Sequence, residues 1–300
     1  MRVHISGLFL LSGCATYITK PIDDTADTAA VGTDTETDPD TGIDTEDSDT
    51  DDSDTDDSDT GDSDTGDSDT GDSDTDEPEP DPLELPAELL DLSNWKLTLP
   101  TGDEGSPDEI TQPELDTFSV DPYFMLNDDA SAVVFRADVD GVTTSGSGYP
   151  RSELREMDGT SKAAWSTTSG RHTMTITQAI THLPDVKQHV VARQVHDSGD
   201  DVMMIRLEGS YLFVESNGDD MGELDDAHVL GTTFTVRIVA VSGWIEIYYE
   251  DMDTPMVIME ADTDGCYFKA GAYTQSNLDR GDEPGAYGEV RIEALEVVHE

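Results

Sequence analysis

Thr235-Val-Arg-Ile-Val-Ala-Val241, Ser242-Gly243 and Trp244-Ile-Glu-Ile-Tyr-Tyr249 form two alternating runs joined by a two-residue turn. Alternation puts successive side chains on opposite faces, and a Gly at the second turn position tolerates the left-handed backbone of a tight hairpin. The stretch therefore predicts two antiparallel strands. Working outward, the same pattern predicts strands over Trp95–Leu99, Val133–Ala137, His172–Thr181, His189–His196, Val202–Leu207 and Tyr211–Glu215. It continues over Met256–Met259, Tyr267–Gln275 and Glu289–Val298, with turns at Asn217-Gly218 and Asp264-Gly265. Helical periodicity is scarce. Many short strands at regular spacing predict an all-β domain, a sandwich or jelly roll of antiparallel sheets spanning residues 83–300.

The 300-residue chain has 15 basic and 69 acidic residues, a formal charge of −54. Residues 21–82 hold 27 acids and no bases, while residues 83–300 hold 42 acids and 13 bases, a balance of −29. Phosphate affinity rests on basic surface, so nucleic acid is not the expected partner. No apolar run approaches the roughly 20 residues of a membrane helix. With only Cys14 and Cys266, neither a disulfide framework nor a Cys-rich metal centre is expected. No spacing of His, Asp and Glu reads as a catalytic metal site, and no cofactor is expected.

Residues 1–14 carry Arg2, an apolar run from Ile5 to Leu11, and Leu11-Ser12-Gly13-Cys14. This resembles the signal and lipobox of bacterial lipoproteins, which implies lipidation at Cys14 and leaves Cys266 as a free, buried thiol. Membrane contact is then expected only through that lipid, with the protein at the outer membrane or cell surface, or otherwise secreted. Residues 15–82 form an Asp/Ser/Thr-rich linker, in which Asp-Ser-Asp-Thr recurs at 47–50, 52–55, 57–60, 62–65, 67–70 and 72–75. It has too little apolar surface to offset ordering, so disorder is expected. Calcium binding is the sharper reading of its Asp-x-Asp-x-Gly pattern. However, the closing Glu and flanking helices of a calcium loop are missing.

Three segments carry functional side chains on one face of a strand. Alternation groups Arg151, Glu153 and Arg155; it groups Gln194 with His196, leaving Val195 for the core; and it groups Tyr267, Lys269, Gly271, Tyr273 and Gln275. If these strands are neighbours, they line a cationic cleft in an acidic body. Taken singly, each has a plainer reading: a salt-bridge ladder, a structural histidine, a packed tyrosine.

Together, and in this order, Arg151-Ser-Glu-Leu-Arg155, Gln194-Val-His196 and Tyr267-Phe-Lys-Ala-Gly-Ala-Tyr-Thr-Gln275 resemble the signature segments of polysaccharide lyase family 7, the alginate lyases. Asn94-Trp-Lys-Leu-Thr-Leu-Pro100 is similar to that family's first strand. The resemblance covers roughly residues 90–300. It implies a β-jelly roll with a concave substrate groove, acting as a monomer on alginate or a related polyuronate by β-elimination. By position, Arg151, Gln194 and His196 would neutralise the uronate carboxylate. Tyr273 would donate a proton to the departing oxygen and, for mannuronate, also take the C5 proton. For guluronate, His196 would be the base. Arg155 and Lys269 would favour the Tyr273 phenolate. Glu153 would orient the arginines and, with Arg155, Lys269 and Gln275, complete the substrate-binding set. Val195 within the Gln-x-His segment implies a mannuronate preference. The domain's −29 implies that activity rises with salt as repulsion is screened. A non-catalytic, surface-tethered glycan-binding jelly roll is the alternative. A glycosidase ranks lower, because Glu153 is the only carboxylate within the three segments.

Overall fold

The computed structural model describes residues 82–300. The expected lipobox with Cys14 and the Asp-rich stretch up to residue 81 lie outside the described residues. The strands in chain order are β1 (Trp95–Asp103), β2 (Ser106–Ile110), β3 (Phe124–Leu126), β4 (Val133–Asp138), β5 (Arg151–Asp158), β6 (Ser161–Lys162), β7 (Arg171–His182) and β8 (His189–His196). They continue as β9 (Asp201–Glu208), β10 (Tyr211–Ser216), β11 (Asp219–Asp225), β12 (Thr233–Val241), β13 (Trp244–Tyr249), β14 (Val257–Glu260), β15 (Tyr267–Thr274) and β16 (Tyr287–His299).

The hairpin that opened the sequence reading is present: β12 pairs antiparallel with β13, Val241 opposite Trp244, with Ser242 and Gly243 at φ 53° and 81°. Pairing runs β11-β10-β9-β8-β15-β5-β1-β2 in a nine-stranded sheet, with β6 paired to β5 at its flank. The second sheet runs β14-β13-β12-β7-β16-β4-β3. Every ladder among the described strands is antiparallel. The fold is a β-jelly roll of two packed sheets.

The core lies between the sheets. Leu97, Leu154, Val195 and Phe268 from the first meet Phe135, Ile176, Ile238 and Ile292 from the second, all fully buried. Each fully buried aliphatic or aromatic side chain contributes about 1.5–3 kcal/mol over its exposed state. Cys266 is buried and, among the described residues, a free thiol. Facing the core with one residue of each pair frees the other for the outer surface. On the nine-stranded sheet that surface carries the candidate site.

Candidate active site

The order β8-β15-β5 makes the three functional segments immediate neighbours. Register fixes the rest. Gln194 lies opposite Lys269, Lys269 opposite Arg155, and Arg155 opposite Lys96, giving one row across four strands. Tyr273 lies opposite Arg151, and Tyr267 opposite His196. Gly271 sits at φ +138° where the β15–β8 register slips, and a Cβ there would stand 2.5 Å from the Ser152 carbonyl oxygen. Only glycine lets β15 approach β5 this closely.

These strands floor a cleft of about 360 Å³. Arg151, Gln194, His196 and Tyr273 all line it, as do Arg155 and Lys269. Of the residues expected to bind substrate, Glu153 is enclosed and Gln275 is engaged by Arg206. Glu153 is buried beneath the floor. Its Oε1 accepts from Gln194 Nε2 (2.5 Å), and its Oε2 accepts from Lys269 Nζ (2.5 Å) and Arg151 Nη1 (3.1 Å). It aims three donors and has no exposed side-chain surface for a sugar. Gln275 follows the last residue of β15, and its Oε1 accepts from Arg206 Nη1 at 3.1 Å, outside the cleft lining.

Protonation states follow from these contacts. Burial opposes the charge on Glu153, yet the Lys269 ammonium and Arg151 guanidinium hold its carboxyl below the usual range. Burial, reinforced by Arg151, pushes Lys269 down to about 8, so it is a cation at neutral pH. His196 Nδ1 lies 2.7 Å from the Asp197 carbonyl oxygen, which can only accept. The proton therefore sits on Nδ1, leaving the Nε2 lone pair available. Burial lowers the His196 pKa, with Lys269 adding to the effect, which keeps this neutral tautomer.

Tyr273 is pushed up by burial, with Arg151 pulling the other way from 4.0 Å above the ring centroid. This corrects the expected roles of Arg155 and Lys269. Arg155 stands 3.7 Å over the Tyr267 ring and Lys269 is taken by Glu153, so Arg151 is the cation acting on Tyr273. The resting phenol is protonated, and its oxygen lies 3.0 Å from Ser147 Oγ.

The sequence reading missed Ser147, Lys96, Lys162 and Asp201 as cleft residues. Lys96 was within reach of alternation, two residues before Thr98 on β1, and Asp201 directly opens β9. Ser147 comes from a loop 126 residues from Tyr273, a contact that no local pattern encodes. Asp201 is raised to about 6 by burial and by Glu215. A cavity of about 400 Å³ lies around Trp165, His172 and His299, but no Arg, Lys or Tyr lines it, so it offers no permanent cation for a uronate.

A cleft pairing a neutral imidazole with a protonated phenol, beside donors fixed on one buried carboxylate, suits proton removal next to a carboxylate. The alginate lyase family model matches residues 90–299. The chain belongs to the alginate lyase family. It is a polysaccharide lyase. It is similar to alginate lyase AlgAT5 from polysaccharide lyase family 7, at 57% identity and TM-score 0.70 over 72% of this chain and 99% of that one. It is also similar to the alginate lyase from Corynebacterium sp., at 47% identity and TM-score 0.70 over 73% of this chain and 100% of that one. A third similar structure is a His-to-Asn, Tyr-to-Phe variant of family 7 alginate lyase A1-II' in complex with substrate (GGMG). The lyase is 26% identical to it with TM-score 0.61, over 73% of this chain and 98% of that one.

Proposed function

We propose that the lyase cleaves alginate by β-elimination, with His196 and Tyr273 as its proton-transfer pair. Removing the C5 proton places negative charge on the adjoining carboxylate. Arg151 and Gln194, aimed by Glu153, face that charge, and each fixed donor of this kind supplies ~2.7–4 kcal/mol. The observation that carries the reading is the complementary protonation of His196 and Tyr273 in one cleft. On guluronate, His196 Nε2 takes the C5 proton and the Tyr273 hydroxyl donates to the departing glycosidic oxygen. Electrons from the broken C5–H bond form the C4–C5 double bond as the C4–O bond breaks. That a His/Tyr double variant of a relative holds substrate supports this pairing.

On mannuronate the C5 proton lies on the opposite face, so Tyr273 would have to act first as phenolate, which burial opposes and Arg151 favours. The mannuronate preference attached to Val195 works only indirectly, because Val195 is fully buried in the core and acts through the seating of Gln194 and His196. Initial rates on homopolymeric blocks decide it. Faster polymannuronate cleavage supports the preference, and faster polyguluronate cleavage replaces it.

The test of the activity itself is incubation of the full chain with alginate while following the absorbance of the new double bond. Wild type should produce it, and Tyr273→Phe should lose roughly 10²–10⁴-fold in rate. Wild type without unsaturated product would overturn the reading in favour of a glycan-binding module. We also place the lyase at the cell envelope as a monomer anchored by lipid on Cys14. Partition into a detergent phase, lost in Cys14→Ala, would support the anchor; equal partition would reject it.

A further inference from the structure

Next to Tyr273 lies a cationic corner that the cleavage step does not use. Tyr149 sets its ring edge against Tyr273, with centroids 6.3 Å apart and planes at 62°. Its backbone N–H donates to Ser147 Oγ (3.1 Å), the same hydroxyl that meets the Tyr273 oxygen. Lys187 Nζ donates to the Tyr149 hydroxyl at 3.2 Å and lies 5.1 Å from the ring centroid. Arg280, ending the short turn Leu278–Arg280, is the second cation acting on that oxygen. Although burial works against it, the two hold the Tyr149 hydroxyl below the ordinary phenol value, opposite to Tyr273.

The corner is held together by its own bonds. Asp282, 3% exposed, accepts from the backbone N–H groups of Val186 (2.7 Å) and Lys187 (3.1 Å) and from Ser276 Oγ (2.5 Å). Asn277 Nδ2 donates to the Gly148 carbonyl at 2.9 Å, tying the Arg280 turn to the Tyr149 loop. On this acidic domain Arg136, Arg206 and Arg291 are engaged by the protein's own carboxylates. Lys187 instead meets a phenol, whose O–H remains free to donate.

We propose that Lys187, Arg280 and Tyr149 form a second carboxylate subsite that holds the uronate next to the ring being cleaved. A polyuronate carries a carboxylate on every ring. A chain with one carboxylate against Arg151 and Gln194 therefore has a neighbouring one to place, and this corner adjoins the ring of Tyr273. The proposal rests on the polyuronate reading of the cleft and names a further contact beside it, next to Tyr273.

The test is KM across a ladder of alginate oligosaccharides of increasing length, for wild type, Lys187→Gln, Lys187→Arg and Tyr149→Phe. Wild type should show KM falling with length. Lys187→Gln should flatten that fall, raising KM for the longest oligomers roughly fivefold relative to the shortest cleaved one, and less at high salt. Lys187→Arg should keep the length dependence, and Tyr149→Phe should weaken it. An unchanged ladder in Lys187→Gln, a uniform shift at all lengths, or flattening in Lys187→Arg as well would overturn the subsite. Wild type that cleaves no oligomer would instead overturn the lyase reading beneath it.

Discussion

The two faces of the nine-stranded sheet handle buried charge in opposite ways. On the cleft face, Arg151, Lys269 and Gln194 converge on the Glu153 carboxylate, at 3.1, 2.5 and 2.5 Å. On the inner face, one residue from Gln194, Arg193 is fully buried with its guanidinium 5.3 Å from the Phe234 centroid. None of its three nitrogens has a hydrogen-bond partner among the described residues, and burial pulls it down to about 9. The slip in register between β8 and β9, at Val191 to Arg193, accompanies this inward turn. A buried cation becomes an aimed donor only when a carboxylate fixes it; without one it is a cost borne by the core.

Removing the carboxylate should break this contrast with the largest effect. Glu153→Leu leaves two buried cations without their shared anion, and the expected loss is about 3–5 kcal/mol of stability. Urea unfolding measures it, and kcat/KM should fall with it because Arg151 and Gln194 lose their orientation. A stable, active Glu153→Leu would mean that the donors are positioned by something else. The inner face predicts the reverse sign. Arg193→Met keeps a flexible unbranched stem, shorter than arginine, and removes the unpaired charge, so it should raise stability by about 1–4 kcal/mol with kcat/KM little changed. A destabilised Arg193→Met would show that the guanidinium is satisfied inside the core. Smaller still is the salt effect: with −29 on the domain, rates on alginate should rise modestly as salt screens repulsion beyond about 8 Å. Highest activity in salt-free buffer would show that the cleft's own cations govern encounter.

Where a strand packs apolar residues into the core, its extent was readable. His189–His196 and Trp244–Tyr249 have the boundaries that alternation assigns, and the Ser242-Gly243 turn is where the sequence puts it. The strands that escaped notice are β2, β3, β6 and β11, and all but β6 close an edge of a sheet. β2 has no buried residue and β11 is mostly acidic, so neither carries an apolar stripe to impose a period. At the site, residue types and faces were legible, because alternation alone puts Arg151 with Glu153 and Gln194 with His196. Which strands are neighbours was not, since that depends on pairing between segments more than 70 residues apart, such as Gln194 with Lys269. Gln275 follows Thr274, the last residue of β15, so strand alternation alone does not fix its place. Tyr149 and Ser147 lie on a loop, where no periodicity operates.

The finest test of the cleft face uses pH. His196 must be neutral to take a proton, and its pKa is lowered, so activity should fall on acidification only below the ordinary imidazole range of about 6.5. Protonated Tyr273, raised above the ordinary phenol value, would place the alkaline limb above about 10 if it alone controlled it. Lys269 titrates earlier. As pH rises through about 8 its charge is lost, Glu153 keeps only Arg151 as a cationic partner, and the cleft loses one positive charge. The alkaline limb should therefore appear near pH 8 and mainly in KM, because Lys269 supplies charge to the cleft rather than a reacting proton. Lys269→Arg, which stays charged throughout, should move that limb upward and leave the acid limb where it was. A limb that stays near 8 in Lys269→Arg would assign it to another group, and the shared-carboxylate account of the cleft would have to give up Lys269.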